Sequence, residues 1–402
     1  MPDDRALADS PQTMGLDPDK LEALFSRAEK EVRAGLLPSM QIAVARHGRV
    51  VATRTVGRVT YAGRDAAATD DTLYVIFSCT KAIVSAAAWL LIEEGALDID
   101  LRVADLLPEF GTNGKHVVTV EQLFTHTCGF PYAPFSARDW DDPQARRARF
   151  GSWRLTWEPG TRFEYHPTAS MWVIAALIEH VTGQSFRDVI RTRIAQPLGL
   201  DDLWVGLAAA QHHRLADVTH VGEPPSPDAL RELGFPTAIP REVAEEALGN
   251  FNVAAVREVG IPGGGGTTTA STLALFYQAL LGHRRAASGD AVWKPTTVEM
   301  ARRVRTGELR DAIFGRHANR GLGIVVAGDE ERVFRGFGHG GSALAFGHNG
   351  AGGQLAWADP DSGMSFVYLT NGCDRHPVRQ ARRGVALNSL AAAVCDTAKP
   401  LS

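Results

Sequence analysis

Ser78 and Lys81 fall within the run Val75-Ile76-Phe77-Ser78-Cys79-Thr80-Lys81-Ala82-Ile83-Val84, ahead of a long apolar stretch. A serine hydroxyl is a weak nucleophile until a base removes its proton. On a helix a lysine three residues later lies one turn along the same face, placed to be that base or to hold it. A helix start also offers unpaired backbone N–H groups and the positive end of the dipole, which favour negative charge and disfavour the lysine's cation. The plainer alternative is a serine N-cap followed by an exposed lysine. Cys79 is a nucleophile by type, but a helix turns it about 100° from Ser78, so it reads as a small packed residue.

The pair alone is a weak signal, and two further segments add to it. Phe163-Glu164-Tyr165-His166-Pro167 precedes a helical pattern starting at Ser170. A tyrosine at that junction can present its hydroxyl to a cleft, and a neighbouring cation that lowers its pKa lets it exchange protons with a serine. Gly347-His348-Asn349-Gly350-Ala351-Gly352-Gly353 leads into a predicted strand. Its glycines permit close backbone approach, and a free N–H on such an edge can meet a developing oxyanion. The competing readings are a core tyrosine at Tyr165 and a turn brace at His348. His126 with Cys128, and His212 with His213, lack a further ligand at zinc spacing. Gly263 to Gly266 lacks the lysine of a phosphate-binding loop. Trp140, Trp153, Trp157 and Phe135 read equally as an aromatic rim for an acyl or alcohol group and as ordinary packing. No metal and no cofactor is expected.

The elements that must position these residues are legible from caps and periodicity. Asp17 caps a helix that Pro18 starts, with Leu21, Leu24, Phe25, Ala28 and Val32 on one face. Residues 40–46 and 49–56 read as strands of a hairpin joined by His47-Gly48. The serine-bearing helix covers 78–94, with Gly95 ending it. Thr119 with Gln122 and Ser185 with Asp188 mark helix starts, and 171–181 carries an apolar stripe that stops at Gly183. Two long irregular stretches, 130–157 and 206–266, have the length of loops that cover a site; a disordered surface excursion is the alternative for the second. Runs at 322–327, 333–338, 354–358 and 365–370 predict an antiparallel sheet, followed by a helix over 377–397. The first hairpin joins that sheet, since alone it would be marginal. The expected fold is α+β: an antiparallel sheet flanked by N- and C-terminal helices, with an inserted, mostly helical lobe. Residues 1–77 and 296–402 form the α/β lobe, and 78–295 the helical lobe with its site-covering loops.

Bulk properties exclude several classes. A 402-residue chain with 45% hydrophobic and 22% charged residues reads as globular, and its net charge of −4 gives no attraction to nucleic acid. The first nine residues hold no apolar run of secretory length, and no stretch is long enough to span a membrane. Four cysteines without metal spacing read as reduced thiols. Together these predict a cytoplasmic location.

The three segments in this order resemble the serine β-lactamase and penicillin-binding-protein superfamily, especially its class C-like branch and the carboxylesterases called family VIII. Ser78-Cys79-Thr80-Lys81 matches the S-x-x-K box. Tyr165 matches the tyrosine of the Y-x-N box, and His348-Asn349-Gly350 stands where relatives carry K-T-G or H-x-G. Leu123 to Gly129, the Gly263 to Gly266 run with Thr267 and Thr268, and Trp357-Ala358-Asp359-Pro360 extend the likeness, which spans roughly Leu16 to Asn371. It implies a β-lactamase-like fold in which Ser78 is the acylated nucleophile. Lys81 would accept its proton, or keep Tyr165 ionised so that Tyr165 does. The backbone N–H groups of Ser78 and Ala351 would form the oxyanion hole, with Asn349 and Gly350 against the substrate. His348 would line the opposite wall, hydrogen-bonding to the tyrosine or the substrate; its ordinary titration range predicts an activity inflection between about pH 5.5 and 7.5. Pro167 replaces the asparagine of Y-x-N, and His348 replaces the lysine that meets a substrate carboxylate; both departures resemble the esterase branch. The implied activity is hydrolysis of small carboxylic esters through a covalent acyl-enzyme. The alternatives are β-lactam or D-amino-acid amide and peptide cleavage, acyl transfer by the same machinery, and a non-catalytic binding protein.

Overall fold

A computed structural model of the chain describes residue 8, residues 10–237 and residues 241–395. The expectations for the first residues and for 396–397 at the end of the last helix lie outside the described residues. The strands are β1 (Ser39–Arg46), β2 (Arg49–Tyr61), β3 (Arg64–Ala67), β4 (Tyr74–Val75), β5 (Trp204–Val205) and β6 (Thr219–Val221) in the first part of the chain. Later come β7 (Gly266–Thr268), β8 (Val325–Val326), β9 (Phe346–Gly347), β10 (Leu355–Asp359), β11 (Met364–Leu369) and β12 (Gly372–Asp374). The main sheet has seven strands in the order β3-β2-β1-β11-β10-β9-β8, every neighbour antiparallel. The centre is therefore a pairing of the two chain ends, with Ile42 opposite Tyr368 and Val44 opposite Phe366.

Alternation along β1 explains why both faces of this sheet are dry. Met40, Ile42 and Val44 pack with Leu21, Leu24 and Phe25 of the N-terminal helix (Pro18–Arg33) and Leu387 and Ala391 of the closing helix (Pro377–Ala392). Ala43 and Ala45 face the other way, into the core shared with the helix Ala270–Leu280 and the serine-bearing helix. Strands buried on both faces read as continuous apolar runs rather than as alternating ones. The Asp17 carboxylate accepts from the amides of Asp19 and Lys20, the cap its sequence predicts.

The serine-bearing helix (Thr80–Glu93) is buried on every side from Thr80 to Leu91 and packs against the helix Ala169–Thr182. A helix apolar all round belongs at the centre of a lobe. Gly183 ends the second helix with φ 67°, and Thr119 with Gln122 forms a complete capping box.

Four expectations change. The run 333–338 is not a strand: Glu330–Arg335 forms a 3₁₀ turn, because Asp329 caps it by accepting from the Glu331 amide and Gly336 ends it at φ 87°. The stretch 130–157 contains the helix Pro143–Ser152, capped by Asp142. Trp140 and Trp153 are core residues within a cluster that includes Phe135 and Trp172, so they form no rim. The stretch 206–266 is built of short helices and turns, and Phe251 from it packs edge-on against Phe77 at 5.2 Å. Among the described residues no helix is long and apolar enough to cross a membrane.

Candidate active site

Ser78 sits in a tight turn (Phe77–Cys79) that feeds the buried helix. Phe77, just before it, has φ 44°, a left-handed conformation that costs a side-chain-bearing residue about 1–2 kcal/mol. Local contacts hold it there. Thr80 Oγ1 donates to Phe77 O at 2.5 Å and accepts from the Gly266 amide at 2.8 Å. The Ile76 amide donates to Gly266 O at 2.9 Å, and β4 pairs with β7. A Cβ on Gly266 would come within 2.7 Å of Thr80 Oγ1, so the glycine run serves backbone contact at this turn.

The Lys81 side chain is buried, with three neighbours. Nζ donates to Pro167 O at 2.7 Å and to Gly263 O at 2.8 Å, and lies 3.3 Å from Ser78 Oγ. Burial first, and then the Arg320 charge, hold its pKa well below the usual 10.5. A neutral amine has two N–H bonds and one lone pair. With both hydrogens on carbonyls, the lone pair is left for the Ser78 hydroxyl.

Tyr165 donates its hydroxyl to the same serine oxygen at 2.8 Å. Burial pushes its phenol up to about 12, against the smaller opposing pulls of the Ser78 hydrogen bond and Arg320. The sequence allows a cation to lower this pKa; in the folded chain desolvation wins, and the phenol keeps its proton. His126 supports it. Its ring lies 4.8 Å from the Tyr165 ring, its Nδ1 accepts from the His166 amide at 3.3 Å, and its own φ is 59°. His166 is fixed in turn, with Nδ1 against Glu164 O at 2.7 Å and Nε2 accepting from the Phe130 amide at 3.2 Å. Cys128 therefore contacts His166 rather than forming a metal pair with His126.

The opposite wall is the turn after β9. Cys79 Sγ donates to His348 O at 3.0 Å. A Cβ on Gly350 would meet Ile76 O at 2.7 Å, so this turn presses against the chain entering Ser78. Among the described residues, neither the Ser78 nor the Ala351 amide N–H has an acceptor. Asn349 directs its amide to Gly336 O at 3.0 Å. His348 is not hydrogen-bonded to Tyr165, whose ring is 5.9 Å away. Its Nδ1 donates to Asn349 O at 2.9 Å, and its Nε2 accepts from Arg320 Nη1 at 3.3 Å. Burial, then the charges of Arg320 and Lys81, push its pKa well below 6.5, which removes the imidazole inflection expected from its ordinary range.

Sequence reasoning missed Arg320 and His126. Arg320 lies in a loop with no periodicity and matches no catalytic motif. His126 lies in the Leu123 to Gly129 segment that extends the family likeness, but its sequence context suggests a metal pair rather than a support for Tyr165. Away from this site, His317, Asp329 and Glu331 bring ligand atoms within 4.8 Å of one another, but Arg335 and Arg316 pair with the carboxylates.

A family model described as Beta-lactamase matches residues 25–391. Esterase/beta-lactamase LipL of Mycobacterium tuberculosis (strain ATCC 25618 / H37Rv) is 26% identical over 318 residues, covering 75% of this chain and 70% of that protein. Esterase EstB of Burkholderia gladioli is 32% identical over 227 residues, 51% of this chain and 55% of EstB, so the match spans about half of that esterase. Among solved structures, a penicillin-binding-protein homolog from Caulobacter crescentus aligns with TM-score 0.77 at 29% identity, over 94% of this chain and 99% of that one. A family VIII carboxylesterase shares the fold, with TM-score 0.72 at 24% identity over 93% and 99% of the two chains.

Proposed function

The chain belongs to the beta-lactamase family, and from that premise we propose a serine carboxylesterase that cleaves small esters through an acyl-enzyme on Ser78. The family match and the relatives make it a serine hydrolase of the β-lactamase and penicillin-binding-protein superfamily. One observation supports the acyl-enzyme mechanism: the Lys81 amine donates to two carbonyls, with Ser78 Oγ 3.3 Å away as its third neighbour.

In this reading Ser78 Oγ attacks the ester carbonyl as its proton passes to Lys81 Nζ. The carbonyl oxygen becomes an oxyanion between the Ser78 and Ala351 amides, which have no other acceptor among the described residues. Collapse of the tetrahedral adduct breaks the bond to the alcohol oxygen. Tyr165 protonates that oxygen, and the Lys81 ammonium restores the phenol's proton. Water then attacks the acyl-serine with the amine again as acceptor, releasing the acid and regenerating Ser78. Lys81 is the base because its pKa is depressed, and Tyr165 the acid because its own is raised. Asn349 and Gly350 shape the turn that holds His348 and Ala351. The likeness to LipL, an esterase/beta-lactamase, and to EstB, an esterase, supports the substrate class. Four free thiols suit a reducing compartment and a cytoplasmic enzyme.

The test is intact-protein mass spectrometry after mixing with nitrophenyl esters and a chromogenic cephalosporin, alongside steady-state rates. Ester turnover with a transient acyl adduct on Ser78, absent in Ser78→Ala, is the expected result. Rapid cephalosporin hydrolysis with no ester hydrolysis would sink the proposal in favour of a β-lactamase. An absence of any adduct, with no turnover, would favour a binding protein.

A further inference from the structure

Of the three reacting groups, Tyr165 alone stands on neither a helix nor a strand. Two backbone amides of residues 162–166 make hydrogen bonds, and both end on His126. The Glu164 amide donates to His126 O and the His166 amide to His126 Nδ1, each at 3.3 Å. Among the described residues the amides of Arg162, Phe163 and Tyr165 have no acceptor. One residue therefore grips the chain immediately before and immediately after the phenol. His126 makes both contacts from a left-handed backbone, φ 59°, a conformation that costs about 1–2 kcal/mol. Glycine would remove that strain but would have no ring nitrogen to offer. The turn is itself anchored, because the Thr127 amide donates to Gln122 O at 3.0 Å and the Gly160 amide to Thr127 O at 2.8 Å. The ring is buried, with Phe163 edge-on at 6.2 Å and His166 stacked at 5.8 Å. An accepting Nδ1 places the ring proton on Nε2. Burial first, and then Arg320, hold the His126 pKa well below 6.5, so Nδ1 stays an acceptor at neutral pH.

We propose that His126 is a positioning residue for departure of the alcohol: its carbonyl and Nδ1 fix the chain on both sides of Tyr165, so that the phenol reaches the leaving oxygen. The inference rests on the esterase reading, in which Tyr165 is the acid. The hydroxyl must serve two oxygens in turn, Ser78 Oγ at 2.8 Å in the resting site and the alcohol oxygen at collapse. A group misplaced by about 1 Å can lose about 10²-fold in rate, and residues 162–166 have no helix or sheet ladder to prevent that. Lys81 and Arg320 lie over the Tyr165 ring at 4.9 and 5.3 Å. They set its electrostatics, whereas His126 sets its place.

The test uses ethyl butanoate and 4-nitrophenyl butanoate, which form the same acyl-enzyme, so kcat/KM compares only the step in which the alcohol leaves. His126→Gly keeps the left-handed backbone without strain and removes the ring acceptor. It should lower kcat/KM about 10- to 100-fold for the ethyl ester and far less for the nitrophenyl ester, whose leaving group needs no proton. In Tyr165→Phe the same substitution should cost the ethyl ester little more, because the two residues act on one step. An undiminished loss in that background overturns the proposal. His126→Asn carries Oδ1 close to the Nδ1 position and tolerates the left-handed region, so it should recover most of the loss. An asparagine variant no better than the glycine one also overturns it. Fluorine NMR needs no turnover: with fluorotyrosine at the six tyrosines, Tyr165→Phe assigns the signal of interest. That signal should be single and sharp in His126→Asn and broadened or split in His126→Gly. Both variants lack the imidazole, so a difference between them reports the acceptor, and identical signals defeat the clamp. Wild type inert to both esters would defeat the esterase reading, and the fluorine comparison would still decide whether His126 places Tyr165.

Discussion

Lys81→Met isolates the step on which the mechanism depends. The methionine keeps an unbranched chain in the same fully buried slot and removes the proton acceptor. General-base catalysis is worth about 10²–10⁴-fold, so kcat/KM should fall by that factor, or about 3–5 kcal/mol of barrier. Because the amine and the hydroxyl act as one unit, adding Ser78→Ala should cost little more. Two carbonyls, Pro167 O and Gly263 O, lose donors at 2.7 and 2.8 Å. Each unsatisfied group costs about 1–3 kcal/mol, offset by no longer burying an amine. The pH dependence supplies a sign. The folded pKa of Lys81 lies well below 10.5, so between that value and 10.5 the unfolded chain binds more protons. Stability therefore rises with pH across the window and is lost as pH falls through it. Lys81→Met should lack this slope. Activity follows the same group: wild-type kcat/KM on nitrophenyl acetate should climb through the folded pKa of Lys81, the neutral form being the acceptor. Urea melts at several pH values and pH–rate profiles check both. A Lys81→Met enzyme within tenfold of wild type, or one keeping the rising limb, refutes the amine as base.

Tyr165→Phe should reduce turnover of alkyl esters by about 10²–10⁴-fold and of nitrophenyl esters far less, since nitrophenolate leaves without a proton; equal losses would deny Tyr165 the acid role. His348→Gln should leave the pH–rate profile without change between about pH 5.5 and 7.5, because burial keeps this imidazole neutral there; a limb present in wild type and missing from the variant would contradict that. Gly263→Ala places a Cβ 2.8 Å from Pro167 O and 3.5 Å from Lys81 Nζ. Overpacking there should cost about 1–3 kcal/mol in a thermal melt, and the shifted amine about 10- to 100-fold in kcat; unchanged Tm and kcat would show that the carbonyl clamp is dispensable.

The local parts of this architecture were legible because their causes are local. A serine and a lysine one helical turn apart, an Asp17 cap and a hairpin at His47-Gly48 each depend on a few consecutive residues. Strand identity near the C-terminus was harder. The 333–338 run has strand-like composition, yet the Asp329 cap and Gly336 turn it into 3₁₀ geometry. Burial was harder still: nothing in sequence separates an aromatic rim from the packed ring pair of Trp140 and Trp172, 4.9 Å apart. Arg320 escaped altogether, because its meaning comes from His348 and Tyr165, which reach it only through the fold. The protonation states were likewise tertiary, since desolvation sets both Lys81 and Tyr165.

The pairing of β1 with β11 has a consequence for how activity is born. Gln41 meets Leu369 and Arg46 meets Met364, so the central ladder closes a loop of nearly the whole polypeptide, a slow kind of contact to form. During synthesis Ser78, Lys81 and Tyr165 are all made well before β9, the Ala351 amide and the last central strands. A chain halted at residue 340 would hold Ser78, Lys81 and Tyr165 and still lack the sheet centre and, in the proposed mechanism, half of the oxyanion site. Competence therefore arrives with the final segment, and a separately supplied C-terminal fragment is the natural candidate to restore it.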